Sequence, residues 1–435
     1  MYVYIGRYKW DPSKKIYWKP EECVNPHGIV AGYSGSGKTY TIKKIIKSLT
    51  ATAEHPVEFH VFDVHGDISF DDSICSTVKF SETSPYGINP LIISSDKDYG
   101  GVRKKIRNFI NMINRTSRKL GIKQEAVLVN ILRDLFAANG FYEDNPKSWS
   151  LDYDMRKNKK FPKQFPTMED LEKYTNYKLK ELIAGGNYKA YKALDDIQKI
   201  FKKLKNSAID RGDFEEKLEK YKAEYLDACK NFIESIESDT EIDKYIKYDN
   251  KDVLKSTYDR IVTLNSSGIF KNKTPDFDKK KPIKRYDISS LNADEQKMFI
   301  DIVSEQVFLE AKQNKDFSKE EQNVVKKYIV IDEAKRFLTD DADHIINIII
   351  NEGRKFGVGF LSASQSITHY PQDILQSTAF KIILGIDSMF TSQAARMLGI
   401  EEKRFGYLIP RKSAIVQINS PRYKSKFLDV ILDDR

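Results

Sequence analysis

The chain has 435 residues, 40% hydrophobic and 12% aromatic, which is enough for two or three domains with sizeable cores and excludes global disorder. A net charge of +9 permits an anionic partner such as DNA, but a lysine-rich composition also arises without one. Three scattered cysteines, Cys23, Cys75 and Cys229, argue against a disulfide framework or zinc site and suit a reducing cytoplasm.

The first residues, Met1–Arg7, lack the charged start and apolar core of a signal peptide, and no run approaches the ~20 apolar residues of a membrane span. A cytoplasmic place with no integral membrane segment is therefore expected. Tyr2–Tyr8 and Ile16–Trp18 read as short strands, and His27–Ala31 reads as a buried strand. It runs into Gly32-Tyr33-Ser34-Gly35-Ser36-Gly37-Lys38-Thr39, which fits the phosphate-loop pattern G-x-x-x-x-G-K-[ST] in full. Gly32, Gly35 and Gly37 let the backbone turn its N–H groups towards a phosphate chain, with Ser34, Ser36 and Tyr40 lining the same site. Lys38 would reach the β- and γ-phosphates of ATP, and Thr39 would offer its hydroxyl to Mg²⁺. Thr41–Lys47 has helical spacing and would aim its N-terminus at the phosphates. Val57–Asp63 predicts the next strand.

A helical insertion is expected over about 94–282, between a first core part at 1–93 and a second at 283–435. Within it, Leu194, Ile197, Ile200, Phe201 and Leu204 fall on one stripe. Phe214, Leu218, Tyr221, Tyr225, Ala228, Phe232 and Ile236 fall on another. With Gly212 in the polar gap at 206–213, the two predict an antiparallel hairpin. Basic clusters at Arg103–Lys105, Arg115/Arg118/Lys119, Arg156–Lys160 and Lys279–Lys281 are read either as solvated faces or as phosphate contacts. Ile283–Ile288 returns to the core as a strand, and a helix is expected from about Asp294 to Lys312.

Tyr328–Ile331 supplies a second buried strand, ending in Asp332-Glu333. Asp332 would hold Mg²⁺ through water, and Glu333 would orient or deprotonate the attacking water. A helix at Asp343–Glu352 precedes the strand Gly357–Gln365, whose terminal Gln365 is either an ordinary polar strand end or, as in P-loop ATPases with an inserted strand here, the candidate to sense the γ-phosphate. Phe380–Gly385 and Ala414–Ile418 complete a mainly parallel α/β pattern.

Five segments together resemble the HerA/FtsK superfamily of ring-forming ATPases, on the HerA side. They are the phosphate loop, Val61–Asp67, Tyr86–Leu91, Ile331–Ala334, and Asn351–Gly357 leading into Ala363–Gln365. The resemblance implies an α/β RecA-like core and a homo-oligomer, expected to be a hexamer, with nucleotide held between subunits. It implies an arginine finger at Arg354, although Arg354 and Lys355 also suit a helix C-terminus through its dipole. Arg260 is a second candidate to sense phosphate. The expected function is Mg-dependent ATP hydrolysis driving duplex DNA through the ring. A nuclease or other effector partner is expected, in DNA processing or anti-phage defence. Two further readings are an ATP-gated platform that activates an effector, and a conjugation or packaging motor. Two departures stand out. Only 31 residues precede Gly32, too few for the family's N-terminal β-barrel, and Asp67 stands where Glu is more usual.

Overall fold

The computed structural model describes residues 1–116, 118–156, 161–183, 188–234, 247–248, 251–313 and 324–433. Contacts divide the chain into two units, one built from Met1–Ile88 and Lys273–Arg435, the other from Asn89–Asn272.

The first unit carries an 11-stranded sheet in the order β2-β1-β11-β10-β9-β3-β8-β7-β4-β6-β5. The strands are β1 Val3–Tyr8, β2 Asp11–Trp18, β3 Gly28–Ala31, β4 Glu58–Asp63, β5 Cys75–Lys79 and β6 Ile283–Asp287. β7 Lys327–Ile331, β8 Val358–Ser364, β9 Phe380–Ile383, β10 Ser413–Ile418 and β11 Phe427–Ile431 complete the set. From β9 to β5 every pairing is parallel. From β9 outward through β10, β11, β1 and β2 every pairing is antiparallel. The parallel centre needs residues that are apolar on both faces, and every residue of β3, β8 and β9 is buried. The residues before the phosphate loop fold as the β1–β2 hairpin on the antiparallel side. Trp18 anchors this hairpin by stacking on Phe380 at 4.3 Å.

Helix α1 (Lys38–Thr52) buries Ile42, Ile45, Ile46 and Leu49, the i, i+3, i+4, i+7 stripe of a helix lying on a sheet. Each such burial is worth about 1.5–3 kcal/mol. His27 fixes the entry to β3, its Nδ1 accepting the Phe360 N–H at 3.0 Å. Complete burial pushes its pKa down to about 3, so it stays neutral and able to accept. The Glu352–Gly357 segment ends helix Ile345–Glu352 in a tight turn before β8. Gly357 there has φ 68, and a Cβ would stand 2.7 Å from the Val324 carbonyl oxygen.

The second unit is helical: α2 Val102–Thr116, α3 Ile122–Ala138, α4 Met168–Ile183, α5 Tyr188–Lys205, α6 Arg211–Glu234 and α7 Lys251–Asn265. α5 and α6 form the hairpin around buried Ala190 and Ala228, with Tyr191, Leu194, Tyr225 and Cys229 packed against them. The turn reverses at Ser207, with φ 54, within the expected polar gap, and Gly212 lies inside α6. The Ala208 N–H bonds the Lys203 carbonyl at 2.8 Å and the Ser207 N–H the Leu204 carbonyl, so helix-capping bonds set the reversal. Phe201 is half exposed, at the margin of its stripe, touching Phe214 edge-on at 5.0 Å. Ile236 and residues 157–160 of the Arg156–Lys160 cluster lie outside the described residues. In the Arg103–Lys105 cluster, Lys105 is buried. No described helix is long and apolar enough to cross a membrane.

Candidate active site

The C-terminal ends of β3, β7 and β8 form one rim of the parallel sheet, where α/β folds hold ligands. β3 leads into the glycine loop, and the Gly32 N–H extends the ladder by bonding the Ser364 carbonyl at 3.1 Å. Gly32 has no room for a side chain: a Cβ would meet Ser36 Oγ at 2.4 Å. Gly35 and Gly37 take φ 80 and 103. Helix α1 begins at Lys38 with Gly37 at its N-cap and no side-chain cap, leaving N–H groups for an anion. Ser36 is fully buried, and its hydroxyl has no hydrogen-bond partner among the described residues. Lys38 Nζ bridges the loop to the Tyr33 carbonyl at 3.3 Å. Ser34 and Tyr40 are exposed and Thr39 is half-buried.

Asp332 follows β7 and is buried, its carboxylate accepting the Glu333 N–H at 2.9 Å. Burial pushes its pKa up to about 6; neighbouring Asp67 and Glu333 raise it further and Lys38 opposes them. Asp332, Asp67, Glu333 and Lys38 therefore share one electrostatic neighbourhood. A buried carboxylate beside two others is a site that a divalent cation would relieve. Glu333 has φ 53, a left-handed backbone that costs a non-glycine residue on the order of 1–3 kcal/mol.

Asp67 owes its position to Asp63. Fully buried, Asp63 accepts the Gly66 and Ile68 N–H groups at 2.7 and 3.0 Å and Arg285 Nε at 2.9 Å. This pinned turn presents His65 and Asp67 to solvent. Sequence reasoning did not find Arg285; parallel register sets it beside β4, opposite Val61.

Gln365 is exposed immediately after Ser364, whose carbonyl meets Gly32. His369 was also missed in sequence. Its Nδ1 lies 2.8 Å from Ser364 Oγ; burial lowers its pKa, Lys335 adds to this and Glu333 opposes it. Arg354 is not gathered into this rim. It precedes β8, whose seven residues, about 23 Å of strand, lead to the rim, and its Nη1 donates to the Val24 carbonyl at 2.6 Å. Arg260 belongs to the helical unit, where it donates to the Arg118 carbonyl at 2.8 Å. Arg411, another residue that sequence reasoning missed, donates Nε to the Gly35 carbonyl at 3.2 Å.

A glycine loop cradling the start of a helix, facing acidic residues at the end of a neighbouring parallel strand, defines a P-loop ATPase with a RecA-like core, an enzyme that hydrolyses ATP. Residues 3–307 match the family described as "Helicase HerA, central domain", and the chain belongs to that family, within the HerA/FtsK superfamily. It is 30% identical over 143 residues to the DNA import protein CedB of Sulfolobus acidocaldarius. That match covers 32% of this chain and 22% of CedB, so the chain spans under a quarter of that relative's length. The fold is similar to VirB4 of Thermoanaerobacter pseudethanolicus, with TM-score 0.63 and 12% identity, covering 100% of this chain and 96% of that one.

Proposed function

We propose that the chain is the subunit of a ring-shaped oligomer, a hexamer, that couples Mg-dependent ATP hydrolysis to movement of duplex DNA. The observation that carries the reading is the separation of Arg354 from its own phosphate loop by the length of β8. An arginine so placed is of use to a nucleotide only on an adjacent copy, where it would stabilise charge developing in phosphoryl transfer. The residues fit the nucleotide and its cation. The loop excludes a Cβ at Gly32, the Ser36 hydroxyl has no partner among the described residues, and Asp332 is a buried carboxylate with a raised pKa.

In this reading the backbone N–H groups of residues 34–40 and the Lys38 ammonium bind the phosphates, and Thr39 and Asp332 hold Mg²⁺. The cation would supply charge neutralisation on the β- and γ-oxygens. Glu333 orients the attacking water and takes its proton, and Gln365 reads the γ-phosphate. DNA as substrate is supported by the name of the CedB relative and by the net charge of +9. A nuclease or other effector as partner, and a role in DNA processing or defence, extend the same reading.

The test is ATP turnover by the purified chain with and without linear duplex DNA. DNA should stimulate hydrolysis. Lys38→Ala should abolish it, and Glu333→Gln should lower it on the order of 10²–10⁴-fold while nucleotide still binds. Turnover indifferent to DNA would instead favour the ATP-gated platform, and undiminished turnover in Lys38→Ala would remove the site assignment.

A further inference from the structure

Arg411 has three properties that a surface arginine seldom combines. Its backbone is left-handed, with φ 65, a conformation that crowds any residue bearing a Cβ. The turn holding it is rigid: Ile409 N–H bonds Ser413 Oγ at 2.7 Å, and Lys412 and Ser413 N–H both bond the Ile409 carbonyl at 3.0 Å. Ser413 Oγ also donates to the Tyr407 carbonyl at 2.9 Å, and Leu432 N–H ties down the Lys412 carbonyl. Third, its guanidinium lies on the phosphate loop, at the Gly35 carbonyl, and forms no ion pair among the described residues. Backbone strain maintained by a network of bonds marks a side chain that must be aimed, and here the aim is the phosphate site.

We propose that Arg411 is a phosphate-sensing residue of this site. It holds the neutral Gly35 carbonyl when no triphosphate is present and turns its guanidinium onto the terminal phosphate of a bound nucleoside triphosphate. A charge-assisted bond to phosphate is about twice as strong as one to a neutral carbonyl, which drives the exchange. A diphosphate leaves the terminal position empty, so the exchange reports which nucleotide is bound. Arg411 is joined through Ser413 to β10, the first antiparallel strand beyond β9, and the signal enters the sheet there. The inference rests on the nucleotide reading given above.

The experiment measures equilibrium binding of ATPγS and of ADP, by displacement of a fluorescent ADP, to the full chain and to Arg411→Ala, Arg411→Lys and Arg411→Gly. Arg411→Ala should weaken ATPγS about tenfold and leave ADP within about twofold. Arg411→Lys should recover part of the difference. Arg411→Gly should show the same loss of discrimination together with a higher Tm, because glycine relieves the left-handed strain. That combination separates sensing from folding. Equal weakening for both nucleotides, or none for either, would overturn the proposal while leaving the nucleotide site intact. Failure of the unaltered chain to bind either nucleotide would overturn both.

Discussion

Lys381 shows how burial of one charge sets a pH dependence. It sits on β9 beside the phosphate-loop strand, 6% exposed, with Nζ donating to the Thr378 carbonyl at 2.6 Å and Gln417 Oε1 at 2.8 Å. Burial pushes its pKa down to about 8, against about 10.5 in the unfolded chain. Between these values the unfolded chain binds the proton and the folded chain does not, so stability rises with pH across the window. The gain is on the order of 3 kcal/mol. Urea midpoints at pH 8, 9 and 10 should climb in the unaltered chain and climb distinctly less in Lys381→Met. The phosphate loop, Asp332 and Glu333 were legible in sequence because their chemistry is written in contiguous residues. Arg285, His369 and Arg411 were not. Each meets its partner through sheet register or a turn, and Arg411 is 376 residues from Gly35.

Elements were legible to the extent that their burial is periodic. The apolar runs within β3, β7 and β8 announced parallel strands, and the stripes of α5 and α6 announced a hairpin. The hairpin's reversal falls inside the polar gap at 206–213, where helix-capping bonds hold Ser207 left-handed. The hairpin's close approach depends on two small residues, Ala190 and Ala228. Ala228→Phe should pry the helices apart at a cost of about 1–3 kcal/mol. Circular dichroism at 222 nm should show earlier loss of helix on heating, with ADP binding by the core unit retained. Loss of ADP binding at temperatures where helix content is unchanged would contradict this.

At the scale of the whole molecule, the strand order was not legible, because nothing local in β9 or β10 says which neighbours they take. That order is what sets Arg354 at one end of β8 and the phosphate loop beyond the other end of β3. If copies complete one another's sites, two inactive variants should cooperate. Lys38→Ala and Arg354→Ala should each be inactive alone, with Arg354→Ala reduced on the order of 10³-fold or more. Mixed, they should regain a measurable part of ATP turnover, because some interfaces pair an intact loop with an intact arginine. Absence of recovery in mixtures shown to co-assemble would exclude completion by a neighbour.

The sheet order also dictates when the protein can fold as a ribosome makes it. β3 pairs with β8 and β9, more than 300 residues downstream, so the glycine loop has no sheet to rest on until most of the chain has been synthesised. β1 waits longer still for β11. The helices at 89–272 make mostly nearby contacts and emerge in the interval, so they can fold while β3, β4 and β5 still lack their sheet partners. Nascent chains arrested before residue 283, where β6 begins, should therefore show a protease-resistant helical body and a cleavable stretch at residues 28–88. The apolar strands within that stretch are the segment most in need of a chaperone.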